Sequence, residues 1–282
     1  MRVIACLCLL SLAACSEWTI RGSGNDDDEP LSEPVADAGE DIVTVPLTDL
    51  RLDGRASYDP ADYLITGYRW TLLSSPEGST SELSHADDDQ PFFFVDTAGE
   101  YTFELTVKNS QDVWDPTPDQ VVIDASPNAR LYAQLTWDTD VDLDLHLIKG
   151  SGPIYQTPGD VCWCNPEGEW GATDNPDDNG VLTAETSTGY GPESATIVDP
   201  ADDVYHLVVH YYGSGSGSGC DDGICPPTHA ELRVFLDGVE VQAFTQLLDT
   251  EFHTWRAAEV SFPSGAVVAG AGLRINDETS CF

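Results

Sequence analysis

Basic residues are scarce in this chain. Its 282 residues include 11 lysines and arginines against 50 aspartates and glutamates, a formal net charge of −39. A field of that sign repels phosphate backbones and argues against nucleic acid as a partner. It favours divalent cations, basic partners or plain solubility in a salty exterior. Long apolar runs are also missing: Val3–Leu12 is too short to cross a bilayer as a finished helix. No stretch repeats apolar residues at helical spacing over a useful length. His-Glu-x-x-His, Gly-x-Ser-x-Gly and phosphate-loop signatures are lacking too. The Gly213–Gly219 repeat has neither a lysine nor a strand-loop-helix context, so it reads as a flexible loop. Paired carboxylates for glycoside cleavage stay open, because so many acids always contain a pair.

What is present is strand. Short apolar runs alternate with turn clusters at Ile42–Val45, Leu50–Leu52, Tyr63–Leu73, Phe92–Val95, Tyr101–Val107 and Gln120–Ile123. That spacing predicts a β-sandwich over residues 34–126, with Trp70 in its core and Tyr101 at a strand entrance, as in a tyrosine corner. A second set follows Pro127, from Leu131–Leu135 through Val204–Tyr212 to His253–Phe262, and Asp237-Gly238 marks a two-residue hairpin turn. The expected fold class is all-β: two tandem sandwiches, residues 34–126 and 130–282, behind a disordered acidic linker over residues 15–33. The linker is poor in apolar groups and carries Asp26-Asp27-Asp28-Glu29, a composition that stays extended.

The most unusual stretch is Thr136–Leu147. Trp137, Val141, Leu143, Leu145 and Leu147 alternate with Asp138, Asp140, Asp142, Asp144 and His146. Period two predicts one strand with a buried face and a wet face. Like charges about 7 Å apart on the wet face repel, and a hard cation such as calcium would compensate them. Asp174, Asn175, Asp177, Asp178 and Asn179 add oxygen donors at spacings that partly resemble an EF-hand loop, with Gly180 at the sixth position. Position twelve is Thr186, and no helices flank the loop, so it is a turn with calcium-like chemistry. Calcium at Asp138, Asp140, Asp142, Asp144, Asp174, Asn175, Asp177 and Asn179 is one reading; acids that merely solvate loops are the other.

His206 and His210 share a strand face, and His146 could join them. About 13 Å along a strand keeps His206 and His210 off one zinc or copper ion. Cross-strand packing or hydrogen bonding is therefore expected of them. Cys220 and Cys225 bracket a turn-rich loop and are the expected disulfide, while Cys162-Trp163-Cys164 favours disulfide use over soft-metal ligation. Trp163, Trp170 and Tyr190 are candidate stacking platforms for sugar rings.

Three resemblances sharpen these expectations. Arg2, the apolar Val3–Leu12 and Leu12-Ala13-Ala14-Cys15 resemble a bacterial lipoprotein signal, which implies removal of residues 1–14 and acylation of Cys15. Ser16 in place of aspartate implies the outer membrane. Pro34–Asp41, Leu52-Asp53-Gly54-Arg55-Ala56-Ser57-Tyr58-Asp59-Pro60, Tyr68-Arg69-Trp70 and Ala98-Gly99-Glu100-Tyr101 resemble a PKD domain, an immunoglobulin-like sandwich used as a spacer or binding module. Some members bind calcium near the turn that here holds Asp53 and Asp59; capping of the turn explains both residues as well. Lys108-Asn109-Ser110 departs from the aspartate usual there. Thr139–Leu143, Leu145-His146-Leu147, Gly189–Glu193, Tyr205–Tyr212 and Val234–Gly238 resemble the YfaP-like domain, which implies a second secreted sandwich without a mechanism.

The resulting expectation is a surface-anchored, non-catalytic binding, adhesion or spacer protein with a polysaccharide or protein partner. A hydrolase accessory module, a cryptic hydrolase and a passive structural lipoprotein are the alternatives. Replacing Cys15 with serine in a bacterial host should abolish fatty-acid labelling and move the protein out of the membrane fraction; unchanged fractionation would contradict lipid anchoring.

Overall fold

The computed structural model describes residues 31–187, 189–213 and 224–274. Cys15, Cys220, the signal residues 1–14 and all but the last three residues of the acidic linker lie outside them. The described residues form a nearly all-β structure, its strands joined by loops and one short 3₁₀ turn at Pro176–Asp178.

The first set of strands is β1 (Ile42–Thr44), β2 (Thr48–Arg51), β3 (Ile65–Ser74), β4 (Phe92–Val95), β5 (Gly99–Asn109) and β6 (Asp119–Ala125). They form a four-stranded sheet in the order β1-β6-β5-β3 and a two-stranded sheet of β2 and β4. Alternation does the work on β5, where Tyr101, Phe103, Leu105 and Val107 all point inward and are fully buried. Phe93 from the small sheet sits edge-on to Tyr101 and Phe103, with ring centroids 5.1 and 4.9 Å away. Trp70 is buried in the same core. The Tyr101 hydroxyl accepts from the Thr97 amide at 3.0 Å and lies 2.8 Å from Asp96 Oδ1, tying the strand entrance to the preceding corner. Asp53 and Asp59 both hold turns: Asp53 pairs with Arg55, and Asp59 accepts from Ser32, Asn109 and the Ala61 amide.

The second set is β7 (Leu131–Trp137), β8 (Asp142–Lys149), β9 (Asp160–Val161), β10 (Val181–Ala184), β11 (Glu193–Ile197), β12 (Val204–Gly213), β13 (Ile224–Leu236), β14 (Val239–Thr250), β15 (Thr254–Ser261) and β16 (Ala266–Arg274). Two five-stranded sheets result, β10-β11-β7-β13-β14 and β16-β15-β12-β8-β9. Their inner faces share one core containing Leu135 and Leu232 from the first sheet and Leu143, Leu145, Leu207 and Val209 from the second. Asp237 and Gly238 both take positive φ, as the β13–β14 hairpin requires.

Two expectations change. Thr136–Leu147 is not one strand: β7 ends at Trp137, β8 begins at Asp142, and the two belong to different sheets. Asp138 and Asp140 spend their carboxylates on the crossing. Asp138 accepts from the His229 amide at 2.8 Å, Asp140 accepts from the Gly189 amide at 2.8 Å, and the Trp137 indole donates to Gly189 O at 2.7 Å. The face expected to be wet is also buried, since Asp144 and His146 are almost fully enclosed.

The two halves meet through a small apolar contact of Ala98, Tyr132 and Phe235. Gln134 Oε1 accepts from the Ala98 amide, and Arg233 donates to Ala98 O, both at 2.8 Å.

Replacing Tyr101 with phenylalanine should cost about 1–3 kcal/mol, because the Thr97 amide and Asp96 lose a buried partner. Replacing the half-exposed Tyr212 with phenylalanine should cost far less. Denaturant midpoints of the two variants check this.

Candidate functional site

The residues that carry chemistry collect on the outer face of the β8–β12 pair. Register places Asp144 opposite His210 and His146 opposite Val208, so one strand face presents Asp142, Asp144 and His146 beside His210 and Tyr212. On the other flank, β9 pairs with β8 through Ile148 and Asp160, which brings Asp160 and Cys162 to the same face. The chain between β8 and β9 then folds back over this face. Ile154 packs on Ile148 and Val208, and the Tyr155 ring stands edge-on to His146 and His210 at 4.7 and 5.6 Å. Tyr155 takes φ of 61°, turning the cover down onto the sheet.

Beneath this cover the polar groups pair in a defined order. His146 Nδ1 is 2.8 Å from Asp160 Oδ2, which also accepts from the Tyr155 amide. The Tyr155 hydroxyl donates to Asp144 Oδ2 at 2.9 Å and lies 2.9 Å from His210 Nδ1. Burial works against a charged His146. The Asp160 charge and hydrogen bond, helped by Cys162, override it and hold the proton to about 10. Phe252 stacks on His210.

A hollow of about 190 Å³ opens beside Asp144, lined by Asp142, Trp163, Glu185, Ser187 and Tyr212. Trp163 and Tyr212 are 39% and 48% exposed, enough to present ring faces to a ligand. Trp163 rides on a tight turn closed by reciprocal Cys162–Asn165 backbone bonds and followed by a disulfide-bonded Cys164. Asp142 is pushed up to about 7 by burial, then by the charges of Asp144 and Glu185. Glu193 lies deeper, accepting from the Leu145 amide at 2.6 Å. Burial first, and the Asp144 charge second, raise it well above the carboxylate range.

The other sequence candidates disperse. Asp174 and Asn179 line a separate hollow of about 470 Å³ with Trp170 and Glu169. There Asn175 Oδ1 caps the Asp177 amide, Asn179 Oδ1 accepts from the Trp170 amide, and Asp178 accepts from the Ala172 amide. These oxygens stabilise the turn itself. Trp170 belongs mainly to the core, its indole donating to Pro158 O at 2.6 Å. Tyr190 is exposed, and its carbonyl accepts from the Trp137 amide at 3.2 Å. His206 faces Glu259 at 3.6 Å. Cys225 is disulfide-bonded, and its expected partner Cys220 lies outside the described residues. Cys162, expected to be oxidised, is instead a buried free thiol. Sequence reasoning missed Tyr155 and Asp160 altogether; nothing in the local pattern of residues 150–160 distinguishes a cover from an ordinary loop.

Comparison with known proteins adds the following. Residues 38–123 match the family model described as "K319L-like, PKD domain". Residues 38–123 form a PKD domain. The dyslexia-associated protein KIAA0319-like protein of Mus musculus is 29% identical over 119 residues, 42% of this chain but only 11% of that protein. The solution structure of the PKD domain from the KIAA 1837 protein is 28% identical and covers 32% of this chain and 85% of that one, with a TM-score of 0.27. An endo-fucoidan hydrolase of glycoside hydrolase family 107 is 15% identical, covering 81% of this chain and 29% of its own, with a TM-score of 0.29. The PKD domain thus accounts for the first set of strands, and the pocket and its polar floor lie entirely in the second.

Glu193 gives a pH test. An acid whose folded pKa is raised stabilises the fold fully below its unfolded pKa, and that contribution is lost as pH rises through the folded value. Stability should therefore fall as pH rises out of the ordinary carboxylate range and through that raised value. In a Glu193→Gln variant the fall should be shallower; thermal melts over a pH series, compared between the proteins, decide it.

Proposed function

We propose that this chain is a lipid-anchored envelope protein that acts by binding, with the PKD domain as a spacer and a YfaP-like second sandwich as the reader of a polysaccharide. The observation that carries the reading is the hollow beside Asp144. Aromatic rings that are half exposed stack on the apolar faces of sugar rings, and convergent carboxylates accept from sugar hydroxyls. Trp163 and Tyr212 supply the first, and Asp142 and Glu185 the second. An acidic surface suits a neutral or amino sugar and disfavours a sulfated or phosphorylated one.

The PKD match supports a module of the adhesion or binding kind. Cys15 would supply the anchor, holding the sandwiches away from an outer membrane on the acidic linker. No helix among the described residues is long and apolar enough to cross a membrane. Calcium belongs to the same proposal as a stabiliser of the acidic loops rather than as a reactant.

Carboxylates grouped in a sugar-sized hollow also favour a second reading, glycoside cleavage. The two separate cleanly. Glycan-array screening of the full mature chain should give a neutral or amino-sugar ligand that quenches tryptophan fluorescence. Trp163→Ala should weaken it by about 1–3 kcal/mol of lost aromatic packing. Binding with no release of reducing ends supports the reader; turnover abolished by Asp142→Asn supports the hydrolase, and no glycan bound by the folded protein removes both.

A further inference from the structure

The floor under the Tyr155 cover holds more donor chemistry than packing requires. Asp144, His146 and His210 each bring a ligand atom to within 4.8 Å of the others, and all three residues are buried. Each imidazole is fixed at Nδ1, His146 by Asp160 and His210 by the Tyr155 hydroxyl and Asp144. Each also has a buried Nε2 with no hydrogen-bond partner. Buried polar atoms are almost always satisfied, so an unpartnered nitrogen on each of two rings in the cluster requires an explanation. Metal-ligating histidines are held by a hydrogen bond at one ring nitrogen, as Asp160 holds His146 and the Tyr155 hydroxyl holds His210, and an arriving ion displaces any proton on the ligating nitrogen.

We propose that Asp144, His146 and His210 bind a divalent transition metal, with zinc the expected ion. The donor set decides the class of ion. Calcium takes oxygens, whereas two imidazoles and one carboxylate suit zinc, or iron and manganese less strongly. Asp160 and Tyr155 are positioning residues, because they hold the rings through Nδ1. His146, Asp160 and Cys162 form a second close triple sharing His146. That triple offers one imidazole with an unpartnered nitrogen where the first offers two, which makes it the weaker candidate. The site stands apart from the glycan reading, though Asp144 borders both.

The test uses the full mature chain, purified without a metal-affinity tag, stripped with chelator and reloaded with zinc or cobalt(II). Elemental analysis should find about one equivalent of zinc per chain, and reloading should raise the melting temperature. Cobalt should give visible d–d bands without an intense near-ultraviolet thiolate band. Asp160→Asn should weaken zinc by about 10–100-fold, and His210→Gln should abolish stoichiometric binding. His206→Gln, on the same strand but paired with Glu259, should leave binding unchanged. A folded wild-type protein that retains no zinc after reloading overturns the proposal. So does a strong thiolate band, which would move the ion to Cys162, or equal loss in the His206 and His210 variants. Should His210→Gln fail to fold, wild-type stoichiometry and Asp160→Asn decide the matter.

Discussion

The structure of the second sandwich turns on the burial of ionisable groups on a strand face that its own alternation leaves polar. Asp144, His146, Asp160 and His210 sit beneath the chain that joins β8 to β9. An isolated charge in such a place is far more costly than any packing gain, so each group must be paired, protonated or coordinated. Here the pairing runs Asp160 to His146 and Asp144 to Tyr155 and His210, and the cover itself supplies two of the donors. The loop is therefore part of the electrostatics rather than a lid laid over a finished sheet. Removing Tyr155 would uncover the row and also break the pairing that makes the row tolerable.

Much of the fold was legible because sandwiches are built from local signals. Alternation on β5 marked the buried tyrosine, phenylalanine and leucine, and Asp237-Gly238 marked a hairpin that positive φ confirms. What was misread shares one cause. Period two reports which side chains share a face, and it is silent on what covers that face. Asp138 and Asp140 continue the parity of β8 although they lie in a crossing between sheets, because a turn of four residues keeps even positions even. Asp144 and His146 continue it although they are buried. The covering residues lie a few positions beyond the strand, in a stretch whose glycines and prolines signal only a loop.

The site was legible in its parts and not in its assembly. His146 and His210 could be named from the sequence, yet their meeting depends on the register that sets His210 opposite Asp144. That register follows from burying Leu143, Leu145, Leu207 and Val209 on the other face, where a slip of one residue would expose the whole row. The polar cluster is thus positioned by apolar packing it does not touch. The same logic explains His206: four residues from His210 on the same face, it lies beyond the cover and pairs with Glu259 instead.

Asp144 joins the two halves of the site. Its side chain lines the hollow with Trp163 and also meets Tyr155 and His210 beneath it. Its charge also reaches Asp142 and Glu193, which burial raises first and Asp144 second. A buried row of ionisable groups, costly for the fold, thus sets the acidity of a carboxylate that lines the surface hollow.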